Sequence, residues 1–120
     1  MKLNEYQEIS KRTMPKPTYS NVRNKLVYLP TNKANYAMGL SGEAGEVTDL
    51  IKKELFHEHP PEPDKVLKEI GDVLHYAAGL ATMYGLTLEE VAMANIEKLM
   101  ERYPNGFNAE DSQKRVDTIG

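Results

Sequence analysis

The chain has 120 residues, a net charge of −3, 40% apolar and 28% charged residues, and no cysteine. That length suffices for one domain with its own core. The charge offers no basic excess for a nucleic-acid groove, and the missing cysteine excludes disulfides and thiolate metal sites. No run approaches the ~20 apolar residues that span a bilayer, and the N-terminus lacks an apolar core of signal-peptide length. A soluble, cytoplasmic protein with no membrane or nucleic-acid partner is the expectation, as a single helical domain over residues 1–120.

In chain order, Asn4 to Thr13 reads as a short helix with Leu3, Tyr6, Gln7 and Ser10 on one side, and Met14-Pro15-Lys16-Pro17 ends it. Thr18 to Leu29 is ambiguous; a short helix capped near Ser20 or Asn21 and closed by Pro30 is one reading. Thr31 can cap a long helix over Asn32–Phe56 that contains Gly39, Gly42 and Gly45. Each mid-helix glycine costs about 1 kcal/mol relative to alanine, which close approach of a second helix or a ligand would explain. His57 to Pro63, with three prolines, is a turn, and its two histidines read as solvated. Asp64 can cap a helix running to Tyr84 and stopped by Gly85. Thr87 and Glu90 form a capping box for a last long helix over Leu88–Tyr103, ended by Pro104-Asn105-Gly106. A polar tail follows, with a short helix around Glu110–Val116. No strand alternation is evident, so the predicted class is all-α, an antiparallel helical bundle.

Two carboxylate doublets stand out. Glu43 and Glu46, and then Glu69 and Asp72, are each spaced i, i+3, which places both acids of a doublet on neighbouring points of one helix face. At about 100° per residue, Glu43 falls among Tyr36, Leu40, Val47 and Leu50, and Glu69 among Val66, Val73, Tyr76, Ala77 and Leu80. An ionised carboxylate on an apolar stripe is costly unless compensated. The 22 residues between Glu46 and Glu69 allow one helix to finish, turn and return antiparallel, so that the doublets face each other. A single ExxE pair means little, and Glu97 and Glu101 are assigned to solvent. Four facing acids would repel, raise one another's pKa values or recruit a cation. A hard divalent ion such as Mg2+, with Mn2+ as a substitute, suits oxygen donors. His75 projects away from Glu69 and is not counted as a ligand. On the last helix, Asn95, Lys98 and Arg102 form a polar, cationic ladder at the edge of the stripe of Leu88, Val91 and Leu99. Alone it would read as snorkelling side chains; beside a multi-acid site it reads as phosphate binding.

The run Gly39-Leu40-Ser41-Gly42-Glu43-Ala44-Gly45-Glu46-Val47, then Lys52-Lys53, then Glu69-Ile70-Gly71-Asp72-Val73-Leu74-His75-Tyr76, resembles the MazG-like nucleotide pyrophosphohydrolases of the all-α NTP pyrophosphatase superfamily. Asn95-Ile96-Glu97-Lys98-Leu99, Arg102-Tyr103-Pro104 and Gly106-Phe107 extend the resemblance, which spans about residues 35–108. The resemblance implies hydrolysis of (deoxy)nucleoside triphosphates to monophosphate and pyrophosphate, a house-cleaning activity on the nucleotide pool. It implies Mg2+ held by Glu43, Glu46, Glu69 and Asp72, with Glu46 as the base that orients water. It points to Lys53, Tyr76, Asn95, Lys98 and Arg102 as phosphate or nucleotide contacts, and to a homodimer or homotetramer whose helical core is completed by oligomerisation. With no tryptophan to stack on a base, Tyr28 or Tyr36 is left for that task. The alternatives are a non-catalytic helical dimerisation or regulatory module and, within the superfamily, a phosphoribosyl-ATP or dUTP/dCTP-type hydrolase. A ferritin-like di-iron centre would need Glu-x-x-His pairs, which neither doublet offers.

Overall fold

A computed structural model of the chain describes residues 1–16, 18–22, 25–29 and 31–115. Its helices are α1 (Leu3–Ser10), prolonged by a 3₁₀ turn at Lys11–Thr13, then α2 (Thr31–Phe56), α3 (Pro63–Met83), α4 (Leu88–Arg102) and α5 (Ala109–Lys114). The helical architecture is the expected one. Thr87 accepts from the Glu90 N–H and the Glu90 carboxylate returns the bond to the Thr87 N–H, closing the capping box at the start of α4. Two ends differ in detail. Glu62 rather than Asp64 precedes α3, because Pro63 sits at the first helical position, where its missing N–H costs nothing. The tail helix starts on an Asn108 cap; Val116, its expected end, lies outside the described residues.

The segment for which a short helix was one reading forms strands instead. β1 (Thr18–Val22) and β2 (Lys25–Leu29) pair antiparallel, with Thr18 opposite Leu29 and Val22 opposite Lys25. Threonine, tyrosine and valine favour a pleated backbone, and only residues 23 and 24 separate the strands, a spacing that hairpins favour. Pro30 lies outside the described residues.

The long helices α2 and α3 form the main packing layer. They run antiparallel: Tyr36, near the start of α2, lies over Gly79, near the end of α3, and Tyr76 of α3 lies over Gly39 of α2. Each glycine leaves the space that the opposing ring fills. The two tyrosine rings meet edge to face at 5.2 Å and 75°, a favoured aromatic geometry. Gly42 and Gly45 face open space, so within this one chain it is Gly39 that the opposing helix meets.

The α2–α3 connection carries a local strain. The His57 and His59 N–H groups both donate to the Lys53 carbonyl, at 3.0 and 3.2 Å, and this winding puts Glu58 at φ +58°. A residue with a Cβ is disfavoured there by roughly 1 kcal/mol or more, and glycine is the usual occupant. Glu58→Gly is therefore expected to stabilise the fold by roughly 1 kcal/mol, less some unfolded-state entropy, read as a higher denaturation midpoint at unchanged slope.

The chain alone buries little. Among the described residues the buried apolar ones are Tyr36, Ala78, Ala81 and Leu88, while Met38, Leu55, Leu67 and Ile70 of α2 and α3 are more than half exposed. The apolar stripe expected on α4 is covered only at Leu88; Val91 and Leu99 remain exposed. The radius of gyration is 18.5 Å, against roughly 14 Å for a compact chain of this length. Among the described residues no helix is long and apolar enough to cross a membrane.

Candidate metal centre

Antiparallel packing brings Glu43 of α2 opposite the first half of α3, where Glu69 and Asp72 share one face. Oxygens of these three carboxylates lie within 4.8 Å of one another, with Glu43 and Glu69 half-buried and Asp72 exposed. The Glu43 carboxyl is held above its ordinary pKa. Partial burial is the main cause, followed by a hydrogen bond with Glu69 and by the negative charges of Asp72, Glu69 and Glu46. A carboxyl pushed toward its protonated form by its neighbours marks a place where positive charge is wanted. Three hard oxygen donors from two rigid helices fit Mg2+ or Mn2+, which take carboxylates and retain further positions for water or phosphate. This donor set offers nothing to a soft metal.

The elevated Glu43 pKa makes a signed prediction. A group whose pKa is raised on folding contributes stability that is present below its unfolded pKa and lost as pH rises through the folded value. Cation-free protein should thus lose stability as pH climbs from the ordinary carboxylate range through the elevated one. Asp49, lowered by its hydrogen bond to Lys53, acts with the opposite sign at lower pH. The difference in melting temperature between wild type and Glu43→Gln, followed across pH in EDTA, isolates the Glu43 contribution. That difference should vanish toward acid and favour the variant toward neutral pH.

The other candidate residues are spread more widely. Glu46 lies one turn beyond Glu43, is exposed, and is outside the three-acid group, although its charge acts on Glu43 and on Lys53. Lys53 pairs with Asp49 at 2.9 Å. Tyr76 is half-buried between helices, its ring 5.2 Å from both the Tyr36 and His75 rings. Asn95, Lys98 and Arg102 are on α4, whose main packing partners are α1, α3 and α5; Arg102 stands 5.8 Å from the Tyr103 ring. Tyr36 is 2% exposed and packed on Gly79, so it is not available to stack on a base. The Tyr28 side chain lies outside the described residues.

The family resemblance gave the first helix a share in the base pocket but named none of its residues. Tyr6, Ile9, Ser10, Arg12 and Thr13 line a cleft of about 480 Å³ together with His75 of α3. The Tyr6 phenol is held protonated by burial and by the charge of Asp72. The Thr13 hydroxyl approaches His75 Nε2 at 3.4 Å. The signal available in the sequence was the Leu3, Tyr6, Gln7, Ser10 side of the helix, which was assigned no chemistry.

Residues 31–107 match the family described as the MazG nucleotide pyrophosphohydrolase domain. The chain is 37% identical over 73 residues to the gene 37 protein of Mycobacterium phage L5, covering 58% of this chain and 64% of the phage protein. It is 36% identical over 73 residues to a Bacillus subtilis (strain 168) protein described as uncharacterized protein YvdC, covering 53% of this chain and 69% of that one. No solved structure matches.

Proposed function

We propose, from the premise that this chain belongs to the MazG nucleotide pyrophosphohydrolase domain family, that it hydrolyses (deoxy)nucleoside triphosphates to monophosphate and pyrophosphate with Mg2+. The observation that carries the reading is the convergence of Glu43, Glu69 and Asp72 oxygens within 4.8 Å, together with the upward push on the Glu43 carboxyl. These three residues would hold the cation. When bound, it neutralises charge on the phosphate chain and acidifies water. Glu46, near this group but outside it, is free to orient the attacking water and take its proton at the carboxylate. Water adds across the anhydride between the α- and β-phosphates, giving the two products. Lys53, Tyr76, Asn95, Lys98 and Arg102 are the proposed contacts to the phosphate chain or nucleoside. For Lys53 that means exchanging its Asp49 partner for phosphate.

The exposed apolar residues of α2, α3 and α4 support a homo-oligomer, because a lone chain leaves more apolar surface in water than monomers usually do. The test of the reaction is product identification from a panel of ordinary and damaged NTPs and dNTPs. Monophosphate with pyrophosphate supports the reading, and the ranking gives the base preference. Diphosphate with orthophosphate means cleavage at the terminal phosphate and a different mechanism. No product from any nucleotide favours the non-catalytic helical module.

A further inference from the structure

Asp72 and His75 are three residues apart on α3, so they share one helix face and lie about 5 Å apart along its axis. A nucleotide with its phosphate chain at the acids can therefore extend its base, one ribose further on, into the cleft that His75 lines. That cleft measures about 480 Å³ and has an aromatic ring on each wall, Tyr6 from α1 and His75 from α3, with Ile9 as apolar lining. The His75 ring is backed by Tyr36 at 5.8 Å and by Tyr76 at 5.2 Å. The α1 wall is pinned on both sides. The Gln7 amide donates to the Thr82 hydroxyl at 3.0 Å and to the Leu86 carbonyl at 2.8 Å, and accepts from the Leu88 N–H at 2.8 Å. Beyond the 3₁₀ turn, Asn32 of α2 donates to the Pro15 carbonyl at 2.8 Å. Arg12 lies between these anchors in sequence, is exposed, and lines the cleft. Among the described residues it has no acidic partner.

We propose that Arg12 selects the base in this cleft, favouring a 6-oxopurine nucleotide over a 6-aminopurine one. The inference rests on the nucleotide reading above. A guanidinium carries N–H donors in a fixed fork and no acceptor, so its match is a pair of adjacent acceptors. A 6-oxopurine presents O6 and N7 side by side, whereas adenine presents N7 beside the N6 donor. Against Arg12 the adenine edge sets donor against donor and leaves one arm of the fork unpaired. Among the described residues the cleft lining includes no carboxylate to receive that amino group, and the Thr13 hydroxyl already faces His75 Nε2 at 3.4 Å. A site that hydrogen-bonds one substrate group rejects an analogue lacking it far more strongly than an apolar pocket does.

The experiment measures kcat/KM for ITP and ATP, and calorimetric binding of IMP and AMP, all in Mg2+, for wild type, Arg12→Ala and Arg12→Lys. The two bases differ in whether position 6 carries an oxygen or an amino group. Wild type should favour ITP over ATP, and IMP over AMP, by about 10–100-fold, the discrimination of one bidentate contact. Both variants should bring the two ratios close to one, because lysine keeps the charge but not the fork. Their melting temperatures should match wild type, since Arg12 is exposed and makes neither anchoring bond. A wild type without the preference overturns the inference, and so does a preference that survives in Arg12→Ala. Equal losses of ITP and ATP turnover in Arg12→Ala also overturn it, placing Arg12 on the phosphate chain. A preference for IMP that depends on Arg12, in a protein that hydrolyses no nucleotide, contradicts the hydrolytic reading and supports this one. Pyrophosphate release from ITP and ATP at equal efficiency does the reverse.

Discussion

Asp72→Asn is expected to lower pyrophosphate release by more than about 100-fold, the scale on which a single stabilising group in an active site is felt, and to leave the cation-free protein no less stable than wild type. Both halves come from one arrangement. The three acids gather their oxygens within 4.8 Å, and the Asp72 charge is one of the forces raising the Glu43 pKa. Asparagine keeps the size and one oxygen but removes the charge that attracts a cation. In the absence of that cation, the same change relieves repulsion, so thermal unfolding in EDTA should be unshifted or move upward. Added Mg2+ should raise the melting temperature of wild type by mass action and that of the variant far less. A variant that unfolds in EDTA would show Asp72 to be structural. Glu46→Gln should differ: turnover falls, while Mg2+ affinity falls less than in Asp72→Asn, because Glu46 stands outside the three-acid group.

Gly79→Ala should be the most damaging small substitution in the helix pair. A methyl group there would fall within the Tyr36 ring, and that ring is 2% exposed with its neighbour Tyr76 edge-on to it. The ring has no free space to enter, so the helices must separate. Overpacking of this kind costs about 1–3 kcal/mol, which corresponds to a loss of several degrees in melting temperature for a domain of this size. Separation also draws Glu43 away from Glu69 and Asp72, so Mg2+ affinity should fall together with stability. Gly42→Ala and Gly45→Ala are the controls. Both face open space, and replacing an exposed mid-helix glycine by alanine is expected to stabilise by up to about 1 kcal/mol.

The helices were legible because their signals are local. The Thr87 capping box, the Thr31 start and the proline-rich turn each act within a few residues, and the boundaries of α2 and α4 agree to within a residue. The facing of Glu43 and Glu69 was legible because their apolar neighbours share one helical period. The hairpin at Thr18–Leu29 was missed because a five-residue strand gives too little alternation to outweigh a capping signal at Ser20 or Asn21. Periodicity gives the side of a helix but not its partner. It could place Asn95, Lys98 and Arg102 on one edge of α4, yet not tell which helices that edge would meet. For the same reason it could not separate Glu46 from Glu43, which i, i+3 spacing treats as equals. Nor could it show that Gln7 would bond across 75 to 81 positions of sequence to the α3–α4 junction.

The most direct test of the central claim is the rate of pyrophosphate release from a nucleoside triphosphate as Mg2+ is titrated into EDTA-stripped protein. The acid group of α2 and α3 should make release dependent on Mg2+ and saturable, near zero in EDTA, with Asp72→Asn flat across the titration. Release that proceeds undiminished in EDTA, or an Asp72→Asn curve that overlays the wild type, would contradict it.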